Sequence, residues 1–157
     1  MTDSRFVYVT YINAAPEKVW DALVTPEFMR QYFFGSTFET DWQVGSPWTL
    51  EKPGGGGLAD SGEVLEVEAP RRLVLSWRSE WMPEAHAEGY GRMVAEIEPS
   101  GEAAAKLTIT HSIGVADSKL IGAVSGGWPK ILSNLKSLLE TGSIVGGLVM
   151  KAELGKV

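Results

Sequence analysis

Two histidines, His86 and His111, are the whole supply of imidazole in this chain, and cysteine is absent. A zinc site needs three or four ligands from His, Asp and Glu, and neither HExxH nor a closely spaced His pair occurs. The sequence therefore predicts no metal site, no thiol chemistry, no disulfide and no cofactor. Ser112 adjoins His111, but neighbouring strand residues point to opposite faces and cannot act together as nucleophile and base. G-x-S-x-G is missing as well. "PGGGGLA" (53–59) lacks the Gly-Lys-Ser/Thr of a phosphate loop and lies between strands, so a flexible hairpin tip is expected. "SGGW" (125–128) precedes a helical run, where backbone N–H groups hold anions; it also reads as a break that lets the chain pass close to a sheet. No residue qualifies as catalytic by type and spacing, and a binding protein is expected ahead of an enzyme.

Glu63 and His111 are the two polar side chains whose strand alternation aims them inward, beside Trp48, Trp77 and Trp128. Burial would shift both toward useful acid–base ranges on a bound apolar substrate. Each also fits a sheet end, solvated or bonded to backbone. Six tryptophans in 157 residues supply the aromatic surface for such a cavity. Trp20 reads as core; Trp42 and Trp81 suit a pocket rim, a partner surface or simple packing.

The elements that must position these residues follow from pattern. "RFVYVTYI" (5–12) is rich in β-branched and aromatic residues and reads as a strand. "APEKVWDALV" (15–24) switches to helical period, with Pro16 in the first turn. "TPEFMRQYFF" (25–34) starts a second short helix, with Thr25 as its expected cap. Strands follow at about 36–40, 47–52, 61–69, 71–80, 89–98 and 104–113, broken by Gly and Pro. Links this short make antiparallel neighbours. Alternation then puts Leu73, Leu75 and Trp77 on one face, together with Met93, Ala95 and Ile97, Leu107, Ile109 and His111, Trp48 and Leu50, and Glu63, Leu65 and Val67. "WMPEAHAEG" (81–89) reads as a mobile loop at a cavity mouth.

In "GGWPKILSNLKSLLETG" (126–142), Trp128, Ile131, Leu132, Leu135, Leu138 and Leu139 form one apolar stripe, while Lys130, Ser133, Asn134, Lys136 and Ser137 face water. "DSKLIGAVS" before it suggests a helix that starts earlier, capped by Ser118, and is broken or kinked at Gly126–Pro129. Gly142 ends it. A sheet with one long helix buries that stripe against its inner face. The fold class is α+β.

The segments "INAAPEKVWDALVTPEFMRQYFF", "DWQVGSPWTL", "SGEVLEVEAPRRLVLSWR" and "GGWPKILSNLKSLLETG" resemble, in order, the SRPBCC superfamily of START and birch-pollen-allergen domains. The branch they are most similar to is related to the activator of the 90-kDa heat-shock-protein ATPase. The resemblance spans about residues 6–142. It implies a helix-grip fold, a sheet of about six to seven strands wrapped around the C-terminal helix, and a cavity between them that accepts apolar small molecules. It places residues 1–142 in one domain and 143–157 in a C-terminal extension, which suits docking on the sheet edge or a dimer contact.

The expected cavity residues are Trp48, Leu50, Glu63, Leu75, Trp77, Met93, His111, Trp128, Leu132 and Leu135. Two functions stand side by side: binding of an apolar or aromatic small molecule, and a protein-interaction module acting on a chaperone in a stress response. The co-chaperones of that branch carry a further N-terminal domain without counterpart in these residues, which argues against direct transfer of ATPase activation. A cyclase-like enzyme using cavity polar groups is a third reading. The net charge of −6 opposes nucleic-acid binding. With no signal-peptide pattern at the N-terminus and no apolar run near the ~20 residues of a membrane span, a soluble, cytoplasmic monomer or homodimer is expected.

Overall fold

Alternation builds the first strand. In β1 (Ser4–Ile12) burial switches residue by residue, and Ile12 is fully enclosed where the chain turns toward the helices. In the computed structural model, which describes residues 3–146, Pro16 and Pro26 occupy the first turns of α1 (Pro16–Val24) and α2 (Pro26–Tyr32). A proline there costs no hydrogen bond, because the first helical N–H groups have no partner in any case. Thr25 does not cap α2 through its side chain, as the sequence suggested. Its carbonyl instead receives the N–H groups of Phe28 and Met29.

Five further strands and a two-residue strand complete one antiparallel sheet: β2 (Phe38–Glu39), β3 (Pro47–Glu51), β4 (Leu58–Glu68), β5 (Arg72–Ser79), β6 (Gly91–Ser100) and β7 (Ala104–Ile113). Their order is β1-β7-β6-β5-β4-β3-β2, so each strand from β2 to β7 pairs with its sequence neighbour and β1 closes onto the last. This is the α+β element order expected from the pattern and the helix-grip architecture that the resemblance implied. Gly54 to Gly57 at the β3–β4 tip all take positive φ, from 81° to 107°, a region open to glycine at no steric cost.

Strand β4 departs from simple alternation. A bulge between Val64 and Glu66 puts an extra residue on this strand, which exchanges the faces of the residues before it. Val64 is fully buried, while Glu63, expected inward, is exposed on the outer side. Its backbone N–H donates to the Ser76 hydroxyl oxygen at 2.8 Å. β4 also begins earlier than predicted, at Leu58, and so brings Ala59 and Asp60 into the sheet.

The long helix α4 (Lys119–Thr141) is continuous through Gly126–Pro129, so of the break or kink that the sequence suggested there, the break does not occur. Pro129 removes one hydrogen bond, yet packing holds the helix through it: Trp128, Ile131, Leu132, Leu135 and Leu138 are buried on both sides of the proline. Ser118 caps the start, accepting the Ile121 N–H at 3.0 Å, and Gly142 ends the helix at φ 86°. Asn134, expected to face water, is buried and accepts the Val145 N–H at 3.0 Å. That bond ties the chain after the helix back onto it. Most of the C-terminal extension lies outside the described residues.

The 81–89 segment is not a free loop. It holds a helical turn, α3 (Pro83–His86), with Ala85 fully buried. Glu88 clamps it to the start of α4: one carboxylate oxygen meets Ser118 Oγ at 2.6 Å and the other the Lys119 N–H at 2.6 Å. A carboxylate is stabilised there because the positive end of the helix dipole faces it.

Candidate functional site

The inner face of the sheet and the stripe of α4 meet over an aromatic cluster. Trp48 packs at a tilt against Trp77, 4.6 Å between ring centroids, and Trp77 and Trp128 meet edge to face at 5.9 Å. Phe33, from the end of α2, stands against Trp128 at 6.0 Å. His111 sits beneath this cluster, 4.9 Å from Trp77 and fully buried. Its Nδ1 accepts the Trp128 indole N–H at 3.1 Å, so the proton of the neutral ring is on Nε2, which has no partner. Burial pushes the His111 pKa down to about 3. The imidazole is therefore a neutral core group at physiological pH.

A half-open cavity of ≈ 70 Å³ lies above the cluster, between α4 and the β3–β4–β5 end of the sheet. Trp77, Trp128 and Phe33 form its floor, Leu120, Val124 and Ile131 its helical wall, and Trp81, Met82 and Pro53 its rim. A second, more enclosed void of ≈ 10 Å³ adjoins it, and Phe33 and Trp128 stand between the two, lining both.

The polar content of the larger cavity is small and specific. Asp60, from the early part of β4, faces it, as do Ser36 and Glu51. Burial pushes the Asp60 pKa up to about 7; the Trp77 indole N–H beside it opposes this rise, and the charge of Glu80 adds to it. Trp77 is only 2% exposed, and its Nε1 has no acceptor at hydrogen-bonding distance and angle. Glu80 is held ionised: burial pushes its pKa up, but hydrogen bonds from Arg78 (2.8 Å) and Ser61 (2.6 Å), with His86 nearby, outweigh that and lower it. Asp60 is thus an unpaired carboxyl in an apolar wall beside a fixed negative charge.

This has a measurable consequence for stability. The unfolded chain ionises Asp60 near 3.8, whereas the folded chain does so near 7, so between those pH values the native state binds more protons. The contribution is fully present below pH 3.8 and lost as pH rises through 7. The rise is worth at most about 4 kcal/mol, and solvent at the half-open cavity reduces it to on the order of 1–2 kcal/mol. Asp60→Asn is expected to leave stability near pH 4 unchanged and raise it by that amount at pH 8, read from urea midpoints across the pH range. Equal effects at both pH values would contradict the assignment.

Of the residues expected to form the cavity, Leu50, Trp77 and Trp128 line the larger one, and Met93, Leu132 and Trp128 the smaller. Trp48, Leu75, His111 and Leu135 are buried in the core but line neither. Glu63 lies apart, in a shallow groove on the outer face with Pro47, Ser76 and Tyr90. Trp81 is at the rim, its ring under Lys52 Nζ at 5.4 Å, while Trp42 is tied down by an indole hydrogen bond to the Val24 carbonyl. Asp60 escaped sequence reading because the glycine run before it hid the true start of β4. The polar residue two positions before Gly62 was the available signal.

Among the described residues no cluster of three or more His, Asp or Glu is placed to hold a metal, and no helix is long and apolar enough to cross a membrane.

Solved structures share this arrangement. Protein MLL2253 from Mesorhizobium loti superposes with a TM-score of 0.74 at 23% identity, covering 90% of this chain and 100% of the other. CalU16 from Micromonospora echinospora gives 0.70 at 20%, covering 88% and 77%. PFC0360w, an HSP90 activator from Plasmodium falciparum, gives 0.70 at 21%, covering 86% and 95%. Identities this low establish the fold alone. No curated protein sequence matches the chain significantly. The family described as "Activator of Hsp90 ATPase homolog 1-like protein" matches residues 13–140, which takes in the two short helices, the sheet from β2 to β7 and nearly all of α4. The chain belongs to that family.

Proposed function

We propose that the protein binds a small aromatic or apolar molecule in the half-open cavity between α4 and the β3–β5 end of the sheet. The observation that carries this reading is the lining itself: an indole floor with few polar groups, one of them the unpartnered Trp77 N–H. Ligand sites are apolar concavities with a few placed polar groups. Size sets the scale. At ≈ 70 Å³ the cavity falls below the ~300 Å³ at which pockets for drug-sized ligands begin, so the ligand is a single ring with a short substituent, or extends out past Trp81. A wider cleft of ≈ 790 Å³ along α3 and the start of α4 shares Trp81 and Met82 with the cavity and offers that path.

A library of one-ring compounds screened by thermal shift tests this. A ligand at about 100 times its Kd adds ~2.7 kcal/mol, a shift of about 5 °C or more for a domain of this size. Val124→Trp, which fills the cavity from the helix side, is expected to abolish the response while the far-ultraviolet spectrum is kept. A library without a single stabiliser would sink the reading.

A second reading, a module acting on a chaperone, is supported by the family description and by the structural likeness to an HSP90 activator. It predicts a change in chaperone ATPase rate on addition of the protein. An unchanged rate with no complex on gel filtration counts against it.

A further inference from the structure

The ionisable groups that line the cavity are all acidic. Its lining contains Asp60 and Glu51 and no Lys, Arg or His. Asp60 is reached by no cation among the described residues: the groups that act on it are the Trp77 N–H and the carboxylate of Glu80. The neighbouring cations are engaged elsewhere. Arg78 and His86 face Glu80, the first at 2.8 Å and the second at 3.7 Å, and Lys52 lies over the outer rim against Trp81. The α4 wall brings no titratable group to Asp60, and its strand partners in β3 and β5 are Leu50 and Ser79.

An ionised carboxylate in such a wall lacks what burial of a charge requires, a counter-ion with hydrogen bonds to the remaining lone pairs. One donor is already in place, the unpartnered Trp77 Nε1–H in the cavity floor. The faces and edges of Trp77, Trp81, Trp128 and Phe33 surround the space. Aromatic rings that enclose a cavity attract a cation through their quadrupoles, most strongly where water is excluded.

We propose that the cavity selects a ligand whose ring or apolar body carries a positively charged nitrogen, with Asp60 as counter-ion and the Trp77, Trp81 and Trp128 rings as cage. This deepens the ligand-binding reading and rests on it. Bound cation holds Asp60 ionised, and the Trp77 N–H then donates to the carboxylate that the cation faces. An anionic ligand is rejected by Asp60, Glu51 and Glu80 together. A neutral ligand gains the ring contacts alone.

Tryptophan fluorescence titrations with three probes sharing a benzyl body separate these cases: benzyltrimethylammonium, benzyl alcohol and phenylacetate. The quaternary ammonium keeps its charge at every pH, so any pH dependence belongs to the protein. At pH 8 the ammonium is expected to bind about tenfold tighter than the alcohol, with phenylacetate weakest. Its affinity is expected to fall about tenfold in all as pH drops below 7 and to level off at the alcohol's value once Asp60 is protonated. Asp60→Asn is expected to bring the ammonium down to the level of the alcohol and to flatten the pH profile, which also excludes His86 as its source.

If the alcohol binds as tightly as the ammonium, or the Asn variant keeps the preference, cation selection is overturned while the cavity remains a ligand site. If none of the three perturbs the fluorescence, both readings fall. Should the Asn variant not fold, the pH series on the wild-type protein and on His86→Gln together give the same decision: a profile kept in His86→Gln belongs to Asp60, and one lost there overturns cation selection by Asp60.

Discussion

Gly62→Ala is expected to be the most destabilising of the small substitutions in this protein, costing about 3 kcal/mol or more. A Cβ at this position would be driven into the backbone carbonyl of Ser76 on β5 and would press the Trp48 indole nitrogen. Neither group can step aside. The Ser76 oxygen already accepts the Trp48 Nε1–H at 2.9 Å, and the carbonyl belongs to a central strand. The close approach of β4 to β5 therefore requires a residue without a side chain. Typical domains are stable by only 5–15 kcal/mol, so the loss should lower the urea midpoint markedly. Asp60 is two residues away, and a shift of β4 moves it relative to Trp77. A change below about 1 kcal/mol would show that the strands separate cheaply and that the approach is incidental.

Trp128→Ala is expected to cost about 3–5 kcal/mol, the range for a large buried aromatic cut to a methyl group. Trp128 is 4% exposed and stands at the centre of the cluster, touching Phe33, Trp77 and His111. Its loss removes packing, leaves His111 Nδ1 without a donor, and joins the two cavities that it separates. Trp128→Phe divides these contributions. It keeps one ring of contact but deletes the N–H and the volume of the second ring, so about 1–3 kcal/mol of the loss should remain, from the unsatisfied buried acceptor and a smaller void. Equilibrium denaturation of both variants gives the comparison. The merged cavity of the alanine variant should also bind larger aromatic compounds than the wild type does. An alanine variant within 1 kcal/mol of the wild type would mean that Trp128 is not the keystone of the cluster.

Both substitutions concern contacts between elements far apart in the chain, and they mark how much could be read beforehand. The identity of every strand and of the three longer helices was legible, while the short α3 was read as loop. β-branched and aromatic runs with period two gave the strands; prolines at first turns gave α1 and α2; the stripe from Trp128 to Leu138 gave α4. The inward faces of β5, β6 and β7 were legible for the same reason. Undisturbed alternation leaves only one face for Leu73, Leu75 and Trp77, or for Leu107, Ile109 and His111.

The candidate site was legible only in part. Trp77 and Trp128 follow from their own strand and helix, so local pattern places them. Glu63 and Asp60 exchanged significance because a β-bulge depends on how β4 fits against β5, and nothing within β4 announces it. Helix propensity predicted a break or kink at Gly126–Pro129, and burial of the stripe on both sides of the proline kept the helix from breaking. The type and order of the elements, and so the family's fold, are properties of this sequence taken locally, because side-chain period and turn chemistry act over a few residues. Which carboxyl meets the tryptophans, that it stands without a counter-ion beside Glu80, and that His111 is neutral core were decided only by tertiary structure, because desolvation and charge proximity exist only once distant strands are packed together.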